Sequence, residues 1–181
     1  MILISFFANI DQVILLEILK KHITDKRTIY LLENIIRSFP KGLPLGNLTS
    51  QLLVNVYMNE FDQFVKHKLK IKYYIRYADD FVMMSHDKKW LERQLSFIAQ
   101  FLRETLKLEL HPNKVFIKTF ASGVDFLGWI HFPHQRVLRT VTKRRMIKRL
   151  REKPNNSTVQ SYVGLLKHGN TGKLRKLLDL P

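Results

Sequence analysis

The stretch Ile71–Ser85, IKYYIRYADDFVMMS, limits the possible folds of this chain more than any other. Two runs of aromatic and β-branched residues flank the tetrad Tyr77-Ala78-Asp79-Asp80. Such runs read as strands, and the tetrad falls where a hairpin turns. Adjacent carboxylates repel and Asp is a poor strand former, so the pair is costly there unless a cation shares it. Hard carboxylate oxygens suit Mg²⁺, which keeps several waters and shares its shell with substrate phosphates. The alternative is an acidic turn whose two carboxylates are simply solvated.

Charge narrows the setting. The chain carries 31 Lys and Arg against 15 Asp and Glu, a formal net charge of +16. Such an excess points to a polyanion. Nucleic acid, an anionic membrane and a ribosome-like environment share that signature. No strongly amphipathic basic helix with exposed Trp or Phe stands out, and no apolar run is long enough to span a bilayer. The 181 residues include no cysteine, which excludes disulfides and thiolate metal sites and fits a reducing cytoplasm, the expected location. This length suffices for one domain with a core, or for a domain with a small appendage.

Periodicity predicts the remaining elements. Met1–Ile10 reads as a buried strand opening into a turn, and Asp11 as the N-cap of a helix over Val13–Ile23. Thr24-Asp25 starts a second helix that runs to Phe39. Gly42–Gln51 is a glycine-punctuated loop in which Thr49 or Ser50 is expected to cap a long helix over Gln51–Lys68. Val54, Met58, Phe61 and Val65 form the apolar stripe of that helix. Asp87 caps a further helix, His111–Lys114 turns, and Val124–Phe132 reads as a hairpin. Arg139–Lys153 then holds eight Lys and Arg against one Glu, capped by Thr142. So lopsided a run argues for phosphate contacts, although a solvated face is the usual fate of charged runs. Two short helices, Ser157–Lys167 and Gly172–Leu178, close the chain.

The motifs recur in a familiar order: SFFANID at 5–11, GLPLGNLTSQ at 42–51, YADD at 77–80, HPNK at 111–114 and FLGW at 126–129. Together they resemble the palm of bacterial reverse transcriptases, the group II intron-like enzymes and above all the diversity-generating-retroelement branch with its GNxTSQ segment. Leu45, where many group II enzymes carry Gln, moves the match toward that branch.

The resemblance implies an α+β fold: a split-βαβ, ferredoxin-like palm over residues 1–138, an antiparallel sheet with helices on one face, and a partial helical thumb over 139–181. It implies RNA-directed DNA polymerisation, with two Mg²⁺ ions, dNTPs, an RNA template and a DNA or RNA primer. Asp79 and Asp80 would carry metal, Asp79 more directly, and Lys114 would stabilise or protonate the leaving pyrophosphate. Phe7 would crowd the sugar 2′ position. Leu45, Gly46, Asn47, Ser50, Gln51 and Tyr77 would face nucleotide or template, with Gly46 allowing close backbone approach. Phe126, Leu127, Gly128 and Trp129 would form the primer grip, although core packing is the weightier expectation for Trp129. Arg139, Lys143, Arg144, Arg145, Lys148 and Arg149 would contact nucleic-acid backbone.

The sequence departs from the family in one place. Aligning Phe6 and Phe7 with the family's first catalytic strand puts its Asp at position 2, where this chain has Ile2. No fingers region precedes that strand, so the chain reads as a palm with part of a thumb. The competing expectation is a non-catalytic nucleic-acid-binding remnant or one piece of a split polymerase, completed by a fingers segment or an accessory protein.

Overall fold

A computed structural model describes residues 1, 3–4, 6–152 and 155–178. Helices and small antiparallel sheets make it an α+β chain, with two compact units, Met1–Ile117 and Lys118–Pro181.

In the first unit, carboxylates set the helix starts. Asp11 accepts from the amides of Val13 and Ile14 and opens α1, Gln12–His22. Asp25 accepts from Thr28 and opens α2, Lys26–Arg37. Asp87 accepts from Trp90 and opens α4, Lys88–Thr105. Each satisfies amides that the first helical turn leaves unbonded. The long helix, α3, covers Leu48–Gln63 and continues as a π-helical turn, Phe64–Lys68. Its cap is Asn47 rather than Thr49 or Ser50, because the Asn47 side chain already accepts from the Thr49 amide and hydroxyl.

The apolar stripe of α3 is buried as expected: Val54, Tyr57, Met58, Phe61 and Val65 lie in the core. Against it packs a hairpin of β1, Tyr73–Tyr77, and β2, Asp80–Met84. Phe61 meets Tyr74, Phe81 and Phe101 of α4, the first two edge-on. Phe64 stacks on Phe101 at 4.1 Å.

The expected N-terminal strand is shorter than Met1–Ile10. Met1 exchanges backbone hydrogen bonds with Phe81 of β2, at 2.9 and 3.1 Å, and Leu3 forms an antiparallel bridge with Leu110. By Phe7–Asn9 the chain has turned into a 3₁₀ helix, because the Phe7 carbonyl accepts from Leu43 of the glycine loop instead of a strand.

The second unit holds, among the described residues, a three-stranded antiparallel sheet of β3, Val124–Phe126, β4, Trp129–His131, and β5, Arg136–Leu138, with three α-helices. These are α5, Thr140–Glu152, α6, Asn156–Leu166, and α7, Gly172–Leu177. Thr142 lies inside α5 rather than capping it. Trp129 and Leu138 of the sheet share a core with Met146 of α5 and Leu166 of α6. Packing therefore unites Val124–Leu138 with the helices that follow.

Candidate active site

The acidic tetrad forms the two-residue turn between β1 and β2. Tyr77 pairs with Asp80, so only Ala78 and Asp79 lie outside the ladder. Two-residue hairpin loops need a positive φ at their first central residue. Ala78 supplies it, at φ +49, although it carries a Cβ. Asp79 is absent from the residues of positive φ, the sign pattern of a type II′ rather than a type I′ turn. Asp79 and Asp80 are both half-buried, and Tyr77 is exposed.

The side chains of the hairpin divide between two faces. Tyr73, Ile75 and Tyr77 face solvent, with Asp80 opposite Tyr77. Tyr74 and Arg76 turn toward α3. The Arg76 guanidinium grips Asp62 of α3 as a fork, Nε to Oδ1 at 2.8 Å and Nη2 to Oδ2 at 2.6 Å. Its remaining nitrogen, Nη1, donates to the Ala78 carbonyl at 3.1 Å and to Asn55 Oδ1 at 3.4 Å. The Tyr74 hydroxyl donates to Asp62 at 2.6 Å. Burial raises the Tyr74 phenol well above its ordinary range, and its bond to the Asp62 carboxylate pushes the same way. Neither Arg76 nor Asp62 was expected from the motifs. The available signal was a carboxylate beside the buried stripe of α3, where a charge requires a partner.

The N-terminal segment passes beside this turn. Burial lowers the Met1 amino group below its usual range, and the charge of Asp80 acts on it in the opposite direction. Ile2, where the family's first Asp is expected, lies outside the described residues.

Two adjacent carboxylates fit one Mg²⁺, which is commonly held by one or two carboxylates with waters and substrate phosphates completing its shell. A two-ion clamp takes more ligands. Among the described residues no group of three or more His, Asp or Glu is placed to hold an ion.

The glycine loop sits on the turn that contains Phe7. A backbone segment comes close at Gly42, where a Cβ would overlap the Phe7 carbonyl oxygen and lie 2.7 Å from Ala8 backbone atoms. Gly46 has φ +84 and open space around it. Phe7 is half-buried, its ring edge-on to Phe6 at 5.5 Å. Leu45 and Gln51 are exposed. The Asn47 side chain serves as the cap of α3. Ser50 is buried and its Oγ has no hydrogen-bond partner. Lys114 ends an exposed 3₁₀ turn, Pro112–Lys114.

In the second unit, Leu127 and Gly128 form the β3–β4 turn at φ +52 and +81, the sign pattern of type I′. Phe126 is half-buried and Leu127 is exposed at the tip. Trp129 is core: its ring packs where a Cβ on Gly169 would overlap it, and the Arg136 guanidinium lies 5.7 Å from the ring centroid. Along α5, Lys143, Arg144, Arg145 and Arg149 are exposed and enter no ion pair among the described residues. Arg139 pairs with Asp125 at 3.0 Å, and Lys148 with Glu152 at 3.7 Å.

Protein YkfC of Escherichia coli K12 is 27% identical over 68% of this chain and 44% of its own length. The group II intron-encoded protein LtrA of Lactococcus lactis subsp. cremoris is 24% identical over 88% of the chain and 38% of its own. The chain thus spans less than half the length of either relative. Residues 3–131, which include the glycine loop, the acidic hairpin and the β3–β4 turn, match the reverse transcriptase (RNA-dependent DNA polymerase) family, and the chain belongs to that family.

Proposed function

We propose that this chain carries the palm of an RNA-directed DNA polymerase and part of its thumb, and that Asp79 and Asp80 are its metal-facing pair. The single observation that carries the reading is the turn itself. Two half-buried carboxylates are held on a strained two-residue turn that α3 braces from behind. A solvated acidic turn needs no such bracing, and strain that persists in a fold tends to mark functional sites.

Bound there, Mg²⁺ supplies charge neutralisation for attack of a primer 3′-hydroxyl on the α-phosphate of a dNTP. The chain's own groups do the rest. Asp79, with Asp80, holds the cation's protein side. The loop Gly42–Gln51 and Phe7 shape the nucleotide side, and Phe7 sets the room left for a 2′ substituent. Tyr77 and Gln51 face the template side. Lys114 offers a cation to the departing pyrophosphate. Phe126, Leu127 and Gly128 form the tip that meets the primer, with Trp129 holding that tip from within the core. The exposed cations of α5 contact backbone phosphates.

A second reading rests on the ligand count. Ile2 stands where a third carboxylate is expected, and no three-ligand group occurs among the described residues. On that reading the chain binds primer–template without extending it, or does so only with a further segment or subunit. One experiment decides between them: the purified chain is given a DNA primer on an RNA template, dNTPs and Mg²⁺. Extension by the templated nucleotide supports the polymerase. Salt-sensitive binding without extension supports the binding protein.

A further inference from the structure

We propose that Arg76 is a positioning residue that fixes the Ala78–Asp79 peptide, and with it the orientation of the Asp79 carboxylate. The inference rests on the reading of Asp79 and Asp80 as the metal-facing pair. Type I′ and type II′ turns share a positive φ at the first central residue and differ by a flip of the peptide that follows it. In the turn of this hairpin that is the Ala78–Asp79 peptide. Asp tolerates positive φ better than most residues, so the flipped turn is accessible to this sequence. The flip would reverse the Ala78 carbonyl and the Asp79 amide and carry Asp79 to positive φ, which changes the χ1 rotamers open to its carboxylate.

Arg76 opposes the flip. Its Nη1 donates to the Ala78 carbonyl at 3.1 Å, the oxygen that a peptide flip reverses. The guanidinium is itself immobilised, because Nε and Nη2 are taken by the Asp62 fork and its side chain is only 9% exposed. The Tyr74 hydroxyl on Asp62 fixes the carboxylate in turn. Asp62 and Asn55 both belong to α3, the helix whose first turn follows the glycine loop. One rigid helix thereby carries the nucleotide-side loop at its end and the latch of the acidic turn on its flank. A lysine has a single ammonium and cannot form the fork and reach the carbonyl together.

The test uses the full chain with Arg76→Lys and Asp62→Asn, singly and combined. Backbone chemical shifts of Ala78 and Asp79 read the turn, and single-nucleotide incorporation on an RNA template reads its consequence. Both single variants are expected to shift Ala78 and Asp79. They should lower the incorporation rate about 10- to 100-fold, the usual effect of removing support behind a metal ligand, and raise the Mg²⁺ needed for half the maximal rate. The KM for dNTP should hold, and the double variant should be no slower than the worse single, because both break one device. Unchanged turn shifts in both single variants would overturn the proposal, as would incorporation within twofold of wild type. A wild-type chain that incorporates nothing would fail the polymerase reading instead, and the turn shifts would still decide the role of Arg76. Asp62→Asn keeps the shape of the carboxylate and serves if Arg76→Lys does not fold.

Discussion

Gly42→Ala tests how the nucleotide loop is held against the turn containing Phe7. Gly42 has φ +58, a region that costs an L residue about 1–2 kcal/mol. The new Cβ would also overlap the Phe7 carbonyl oxygen and sit 2.7 Å from the Ala8 carbonyl carbon and Cα. These are backbone atoms, so no side-chain rotation relieves the clash, and the loop must withdraw. Withdrawal breaks the bond from the Leu43 amide to Phe7 at 2.8 Å and that from Gln12 Nε2 to the Gly42 carbonyl at 3.0 Å. Each contributes about 1 kcal/mol. The lost freedom of the unfolded chain returns about 0.4–1 kcal/mol. The net expectation is a loss of about 3 kcal/mol, read by urea denaturation. Gly46→Ala is the control, since Gly46 shares the positive φ but has open space around it. It should cost about 1 kcal/mol. Equal losses at the two positions would refute the argument, because only the backbone clash separates them.

Three further outcomes follow from the same contacts. Burial holds the phenols of Tyr57 and Tyr74 protonated in the folded chain beyond their ordinary range, so the unfolded chain ionises first. Stability should be intact below about pH 10 and fall above it by about 1.4 kcal/mol per pH unit for each tyrosine, and Tyr74→Phe should shallow that slope in urea titrations. Gly169→Ala should lower the melting temperature of the second unit, because the added methyl overlaps the Trp129 ring that anchors its core; a melting temperature within a degree of wild type would contradict that packing. Replacing Arg144 and Arg145 with Gln should reduce the slope of log K against log salt for a primer–template duplex by about 0.9 for each phosphate contact removed, while an unchanged slope would place both residues off the nucleic acid.

The helix starts were legible in the sequence because Asp11, Asp25 and Asp87 each precede an apolar period, a signal written in neighbouring residues. The hairpin was legible for the same reason, since alternation and turn chemistry are local. What escaped depends on partners distant in the chain. Nothing around Gly42 or Gly46 says which glycine another backbone segment approaches, because that is set by Phe7 and Ala8 across the fold. The Arg76–Asp62 fork joins residues on a strand and a helix, and Arg76 looked like one cation among many. The strand Arg136–Leu138 is too short to carry a period of its own and exists through its ladder with β4. Thr49 and Ser50 looked like caps, but Asn47 stands earlier and takes the amide first. Trp129 sits in a motif whose resemblance implies primer contact, yet its ring fills the core beside Gly169, in keeping with the packing also expected of it.

The central claim, that the acidic turn braced by α3 is the chemical centre of a polymerase, is tested most directly by single-nucleotide incorporation on an RNA template. Wild type and Asp79→Asn are compared in Mg²⁺, with duplex affinity measured on the same samples. The account predicts incorporation of the templated dNTP by wild type and its loss in Asp79→Asn at unchanged duplex affinity. Equal incorporation by both proteins would contradict it.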